Sequence, residues 1–95
     1  MEFKLLLAEF LGTFFFLSII LNSVFFGDFA PIAISIGLLG AIYLAGRVSG
    51  GHFNPAVSVM MYVKGKLAGD LTVLYIAAQI LGGLMALMIN NVFIS

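Results

Sequence analysis

The residues of this chain best suited to chemistry gather in one run, Ser49-Gly50-Gly51-His52-Phe53-Asn54-Pro55-Ala56, with Glu9 and Gln79 as further polar groups set inside apolar sequence. Pro55 suits the first position of a helix, where its missing N–H costs nothing, and Asn54 suits the cap before it, where the side chain accepts from a backbone N–H. The apolar stretch that follows, as far as Val63, is only about two and a half turns long, and Gly65 can end it in a left-handed conformation. Such a helix dips into a bilayer and stops. Its N-terminus presents about half a positive charge together with unpaired N–H groups. With the Asn54 oxygen committed to the cap, its amide NH₂ is left as a fixed outward donor. The carbonyls of Gly50, Gly51 and His52 supply acceptors, glycine allowing close approach to the backbone. A donor backed by positive potential holds the oxygen of a neutral molecule such as water or glycerol and repels cations, protons included. The plain alternative is a capped turn that joins two helices.

Glu9 lies about one-third of the way along an apolar helix, a costly position for a carboxylate and therefore a functional one by default. Two roles fit: relaying protons, or bracing the backbone N–H groups of the loop. Gln79 reads as a lesser structural group. His52 has no second imidazole or carboxylate at ligand spacing, so it reads as loop packing rather than a metal ligand. The chain has no cysteine, which removes thiolate sites and disulfides. With no nucleophile, paired acid and base, or metal cluster, the sequence does not read as an enzyme. No cofactor, metal or nucleic-acid partner is expected.

The elements that position these groups must do so in lipid. Of the 95 residues 63% are hydrophobic and 8% charged, and the mean hydropathy is +1.25. That composition excludes a soluble domain, and apolar stretches recur to the last residue, unlike a signal peptide or single anchor. A spanning helix needs about 20 apolar residues for a hydrocarbon core of about 30 Å. Three segments are expected to span, at about residues 5–26, 31–46 and 67–93 by that criterion. The middle segment is short for a full crossing. The turn Gly27-Asp28-Phe29-Ala30-Pro31 makes the first two antiparallel neighbours, and the re-entrant loop and half-helix fill about residues 47–65. Lys4, Arg47, Lys64 and Lys66 all fall at the N-terminus or between the second and third spans. The positive-inside rule puts that side in the cytoplasm, with Asp28 and the C-terminus at Ser95 outside. Ala33, Gly37, Ala41 and Ala45, and likewise Ala78, Gly82 and Ala86, recur every fourth residue. Small residues at that spacing let helix backbones approach closely in lipid, so these ridges read as assembly faces.

Ser49 to Val57 resembles the first asparagine-proline-alanine loop of the major intrinsic proteins, the aquaporins and glycerol facilitators. Ala8-Glu9-Phe10-Leu11-Gly12-Thr13 resembles their first-helix motif, and Tyr75, Ala78, Gln79 and Gly82 their third-helix pattern. The resemblance covers essentially the whole chain. It implies an all-α membrane fold with three transmembrane helices and one re-entrant half-helix, one repeat of an inverted-repeat channel. It also implies passive transport of water or small neutral solutes, and bracing rather than proton relay for Glu9. In that family a constriction takes one residue from the second helix. Counting back from Asn54 puts Ile34 there, where the family commonly has phenylalanine or tryptophan, and a one-residue shift puts Ser35 there. Isoleucine would loosen that wall and keep ammonia or urea among the candidate permeants.

Family members carry two repeats whose half-helices meet near the midplane, and the second loop brings an arginine that Arg47 cannot replace. This chain is therefore expected to need a complementary second repeat: the missing part of a longer product, a separate polypeptide, or another copy of itself. The charge bias weighs against the last. An oligomer is expected by the same resemblance. Apart from a channel half, a non-conducting membrane protein that retains one repeat for interaction or assembly remains as an alternative.

Overall fold

A computed structural model describes residues 2–94, all of the secondary structure in it helical. Helix α1 is Glu2–Asn22. A tight 3₁₀ turn at Ser23–Phe29 leads to α2, Ala30–Ala41. A π-helical turn at Ile42–Gly46 continues into the short α3, Arg47–Ser49. After the loop come the half-helix α4, Pro55–Val63, and the long α5, Gly69–Phe93.

The first span begins and ends earlier than residues 5–26. Its C-terminus is set by side chains that take backbone carbonyls: Asn22 Nδ2 donates to Ser18 O at 2.8 Å and Ser23 Oγ to Ile20 O at 2.7 Å. Local bonds of this kind compete with the helix ladder. Gly27, at φ 54° and ψ −124°, then reverses the chain, in a region that only glycine enters cheaply. Pro31 follows in the first turn of α2, where its fixed φ is already helical.

The second span is longer than residues 31–46. Helical backbone continues through the π turn and Arg47 to Ser49, so the run covers about 30 Å at 1.5 Å per residue, a full crossing. Polarity at Arg47 and Ser49 suggested an end, but neither side chain stops a helix. Gly50, at φ 96°, does, while its N–H still bonds Gly46 O at 2.8 Å. The third span starts at Gly69, two residues later than expected, because Ala68 is extended at ψ 150°. Gly65 takes φ 85° just after the half-helix. The expected exterior C-terminus at Ser95 lies outside the described residues.

Burial is inverted relative to a soluble protein. Large apolar side chains such as Leu44, Val73 and Val92 point outward, whereas the buried set is mostly small or polar, Ala8, Ala41, Ala45 and Ala86 beside Glu9, Thr13, Ser58 and Gln79, with the rings of Phe53 and Tyr75 among them. Lipid tails accept leucine as readily as a protein core does, so helix contacts here depend on close approach rather than on hiding large side chains. Two contacts show how close. A Cβ on Gly82 would stand 2.6 Å from the Phe10 carbonyl oxygen, and one on Gly37 would stand 2.9 Å from Ile19 Cδ1. Members of both small-residue ridges, Gly37, Ala41, Ala45, Gly82 and Ala86, are thus buried within the chain itself. The reading of these ridges as assembly faces is corrected accordingly: they seat α2 and α5 on α1.

Candidate functional site

Residues 50–54 fold back against α1, and Glu9 lies behind them with no exposed surface. Its two oxygens receive four hydrogen bonds. Oε2 accepts from Ser49 Oγ at 2.6 Å and from the His52 N–H at 3.1 Å. Oε1 accepts from the Phe53 N–H at 2.8 Å and from Gln79 Nε2 at 2.9 Å. Every partner donates, which is what an acceptor-only carboxylate requires. Bonds to an ionised group contribute about 1.5–3 kcal/mol each, and the buried setting raises the penalty for leaving any unmade.

For two consecutive N–H groups to converge on one carboxylate, the backbone must leave ordinary conformations. Gly50, Gly51 and Phe53 have φ of 96°, 71° and 52°. Glycine enters that region freely, but Phe53 is held there against its own preference. What holds it is packing: its ring is 3% exposed and lies where a Cβ on Gly12 would collide with it. The loop also lies against the π turn, since a Cβ on Gly51 would stand 3.3 Å from Gly46 Cα.

A second layer of side chains locks the first. Gln79 Nε2 also donates to Ser58 Oγ at 2.8 Å, and Ser58 Oγ lies 2.9 Å from His52 Nδ1. Ser58 Oγ, with one proton and two lone pairs, thus joins Gln79 and His52 Nδ1 at a single hydroxyl. Tyr75 donates its hydroxyl to Ser49 O at 2.6 Å, and its ring meets His52 edge-on with centroids 5.1 Å apart. Ser49 Oγ accepts the Gly51 N–H at 3.2 Å. Gln79 is therefore the bridge between the carboxylate and the half-helix, a larger part than the sequence suggested.

On the open side stands Asn54. Its Oδ1 accepts the Ala56 N–H at 2.8 Å, and its carbonyl takes the Ser58 N–H at 3.1 Å. The amide NH₂ has no partner among the described residues, and Asn54 and Pro55 line a groove of about 600 Å³ between α1 and α5, with Phe16, Ile20 and Gly83 on its walls. Pro55 and Ala56 are exposed at the start of α4. The carbonyls of Gly50, Gly51 and His52 accept no hydrogen bond among the described residues. Ile34 stands apart on α2, half-buried, and is not among the residues that line this groove. Among the described residues no group of acidic, histidine or cysteine side chains could hold a metal ion.

Sequence reasoning passed over Ser58 and gave Tyr75 no role of its own. Both were within reach of helical spacing. Ser58 is four residues after Asn54 in an otherwise apolar helix, and Tyr75 precedes Gln79 by four, so each pair shares a face.

The chain matches the Major intrinsic protein family over residues 1–95. It is 39% identical to the glycerol uptake facilitator protein-like 6 of Lactiplantibacillus plantarum, over 94% of this chain and 43% of that protein. It is 41% identical to aquaporin Z of Brucella melitensis, over 93% of this chain and 43% of that protein. With aquaporin Z of Photorhabdus laumondii it shares 36% identity, over 85% of this chain and 39% of that protein. The chain thus spans about 40% of the length of these relatives. No solved structure matches it. A carboxylate-braced re-entrant loop, long apolar helices that make the chain an integral membrane protein, and a match along its whole length lead to one conclusion: the chain belongs to the major intrinsic protein family, whose members are channels.

Proposed function

We propose that this chain forms half of a passive channel for water or small neutral solutes, and that Asn54 holds the permeant while the half-helix excludes protons. The observation that carries this reading is the division of labour within one side chain: Asn54 lines the groove with its Oδ1 committed to the Ala56 N–H, while its NH₂ has no partner among the described residues. A donor fixed in this way can bond a permeant oxygen without reorganising, and the positive end of α4 lies directly behind it. The carbonyls of Gly50, Gly51 and His52 act as the acceptor rungs, and Ile34 takes the second-helix place at the constriction. Glu9 and Gln79 support the loop. A complementary second repeat closes the pore, whether from the same product, a partner chain or another copy, and complete pores assemble as oligomers. The N-terminus is cytoplasmic and the C-terminus outside.

Stopped-flow swelling of proteoliposomes tests this. The chain is reconstituted alone and together with a polypeptide carrying the second half of a family member. Permeability above empty liposomes in either arm, removed by Asn54→Asp, is expected. Aspartate keeps the cap oxygen and removes the donors, so a stable but inactive variant is the specific signature. Background swelling in both arms would leave the chain as a non-conducting assembly element.

A further inference from the structure

Thr13 Oγ1 and Gln79 Oε1 are buried where α1 crosses α5, yet neither has a hydrogen-bond partner among the described residues. We infer that one water molecule is bound between them, in the groove that Asn54 also lines, and that through it Thr13 positions Gln79. The inference rests on Gln79 as a support of the loop and not on transport.

Both amide protons of Gln79 are in use, on Glu9 Oε1 at 2.9 Å and on Ser58 Oγ at 2.8 Å. The amide cannot turn over, because an ionised Glu9 oxygen only accepts. Its own oxygen is therefore fixed in place on a side chain that is 2% exposed, and a buried acceptor left without a donor is among the costlier defects of a fold. The donor must come from outside the brace.

Thr13 is the polar group at hand. It follows Glu9 by four residues and so lies on the same face of α1. A Cβ on Gly82, three residues after Gln79, would stand 3.3 Å from Thr13 Cβ. A hydroxyl in a helix ordinarily takes the carbonyl one turn back. Thr72 does so on Ala68 O at 2.8 Å, and Ser35 on Pro31 O at 2.7 Å. Thr13 does not, although it is 1% exposed. The two oxygens do not bond each other directly either, and a gap between two buried polar atoms is where a bridging water belongs. Both residues line the groove of about 600 Å³, which has room for a molecule that occupies about 30 Å³. Water also suits the chemistry. It donates to Gln79 Oε1, which only accepts, and gives or takes at the Thr13 hydroxyl, which does both. Two neutral oxygens are too few for a hard cation, which takes about six. Held from this side, the Gln79 amide keeps the orientation in which it meets Glu9 and Ser58.

A crystal structure of the chain, alone and with a second-half polypeptide, at a resolution that orders water, tests this directly. Density for one water within about 3.2 Å of both oxygens is expected in each. Thr13→Val keeps the shape and removes the hydroxyl. The density should then vanish, the Gln79 Cδ resonance should move as its oxygen loses a donor, and the unfolding equilibrium constant in mixed micelles should rise at least about fivefold. Thr13→Ser restores the hydroxyl and should return the resonance and most of the stability, whereas a residue that merely filled space would be replaced better by valine than by serine. No density between the oxygens overturns the inference, and so does a protein donor from the second half on Gln79 Oε1. A Thr13→Val variant within about twofold of the parent, with the Cδ resonance unmoved, overturns it as well. Background swelling of the reconstituted channel, by contrast, would defeat the transport reading and leave each of these readouts as expected.

Discussion

Replacing Glu9 by glutamine probes the bracing of the loop directly, because it keeps size and shape and changes one oxygen into a donor. If the new NH₂ took the Oε1 position it would face the Phe53 N–H and Gln79 Nε2, two groups that can only donate there. At the Oε2 position it faces Ser49 Oγ, which can turn and accept, and the His52 N–H, which cannot. The latter orientation is therefore favoured. It removes one bond to a charged acceptor, about 1.5–3 kcal/mol, and reduces the two remaining Oε1 bonds to neutral strength, about 1 kcal/mol each. The sum is a loss of about 2.5–7 kcal/mol, a large part of the roughly 5–15 kcal/mol that keeps a domain folded. Equilibrium unfolding in mixed micelles, followed by circular dichroism, measures the total. Amide exchange measures the pattern, in which His52 loses protection and Phe53 keeps most of it. Asp70→Asn, an exposed carboxylate at the start of α5 that accepts from Leu71 N, is the control and should cost no more than about 1 kcal/mol. A Glu9→Gln variant within about 1 kcal/mol of the parent, or one in which Phe53 rather than His52 opens, would refute the reasoning.

Three further outcomes follow from the geometry. Tyr75→Phe leaves the buried Ser49 carbonyl without its 2.6 Å donor and should cost about 1–3 kcal/mol in the same unfolding assay. Gly82→Ala puts a methyl 2.6 Å from the Phe10 carbonyl oxygen, backbone that cannot swing aside. Separation of α1 from α5 should lower stability by about 1–3 kcal/mol, visible as a lower midpoint in thermal unfolding. Gly27→Ala meets no atom within 4 Å, so any loss is purely conformational; about 1–3 kcal/mol is expected for a non-glycine residue at that φ and ψ, and an unchanged midpoint would show that the turn is not strained.

Much of this protein was legible in its residues. Composition alone required lipid as the solvent, because so few charges cannot clothe a soluble surface. Asn54 and Pro55 marked the start of the half-helix by local chemistry, since a cap oxygen and a missing N–H act within three residues of where they stand. The family was legible for the same reason: its motifs are short and contiguous. Span lengths were less so, because Arg47 and Ser49 have the polarity of a helix end while the true stop is the backbone of Gly50, whose φ no composition reveals. Tertiary structure alone decided who shares the Glu9 carboxylate. Ser49, His52, Phe53 and Gln79 lie 40 to 70 residues away, and only the crossing of α1 and α5 at Gly82 fixes which of them reach it. It also decided that the small-residue ridges would be used within the chain, since a stripe of glycine and alanine records how closely a backbone can be approached but not which helix will approach it.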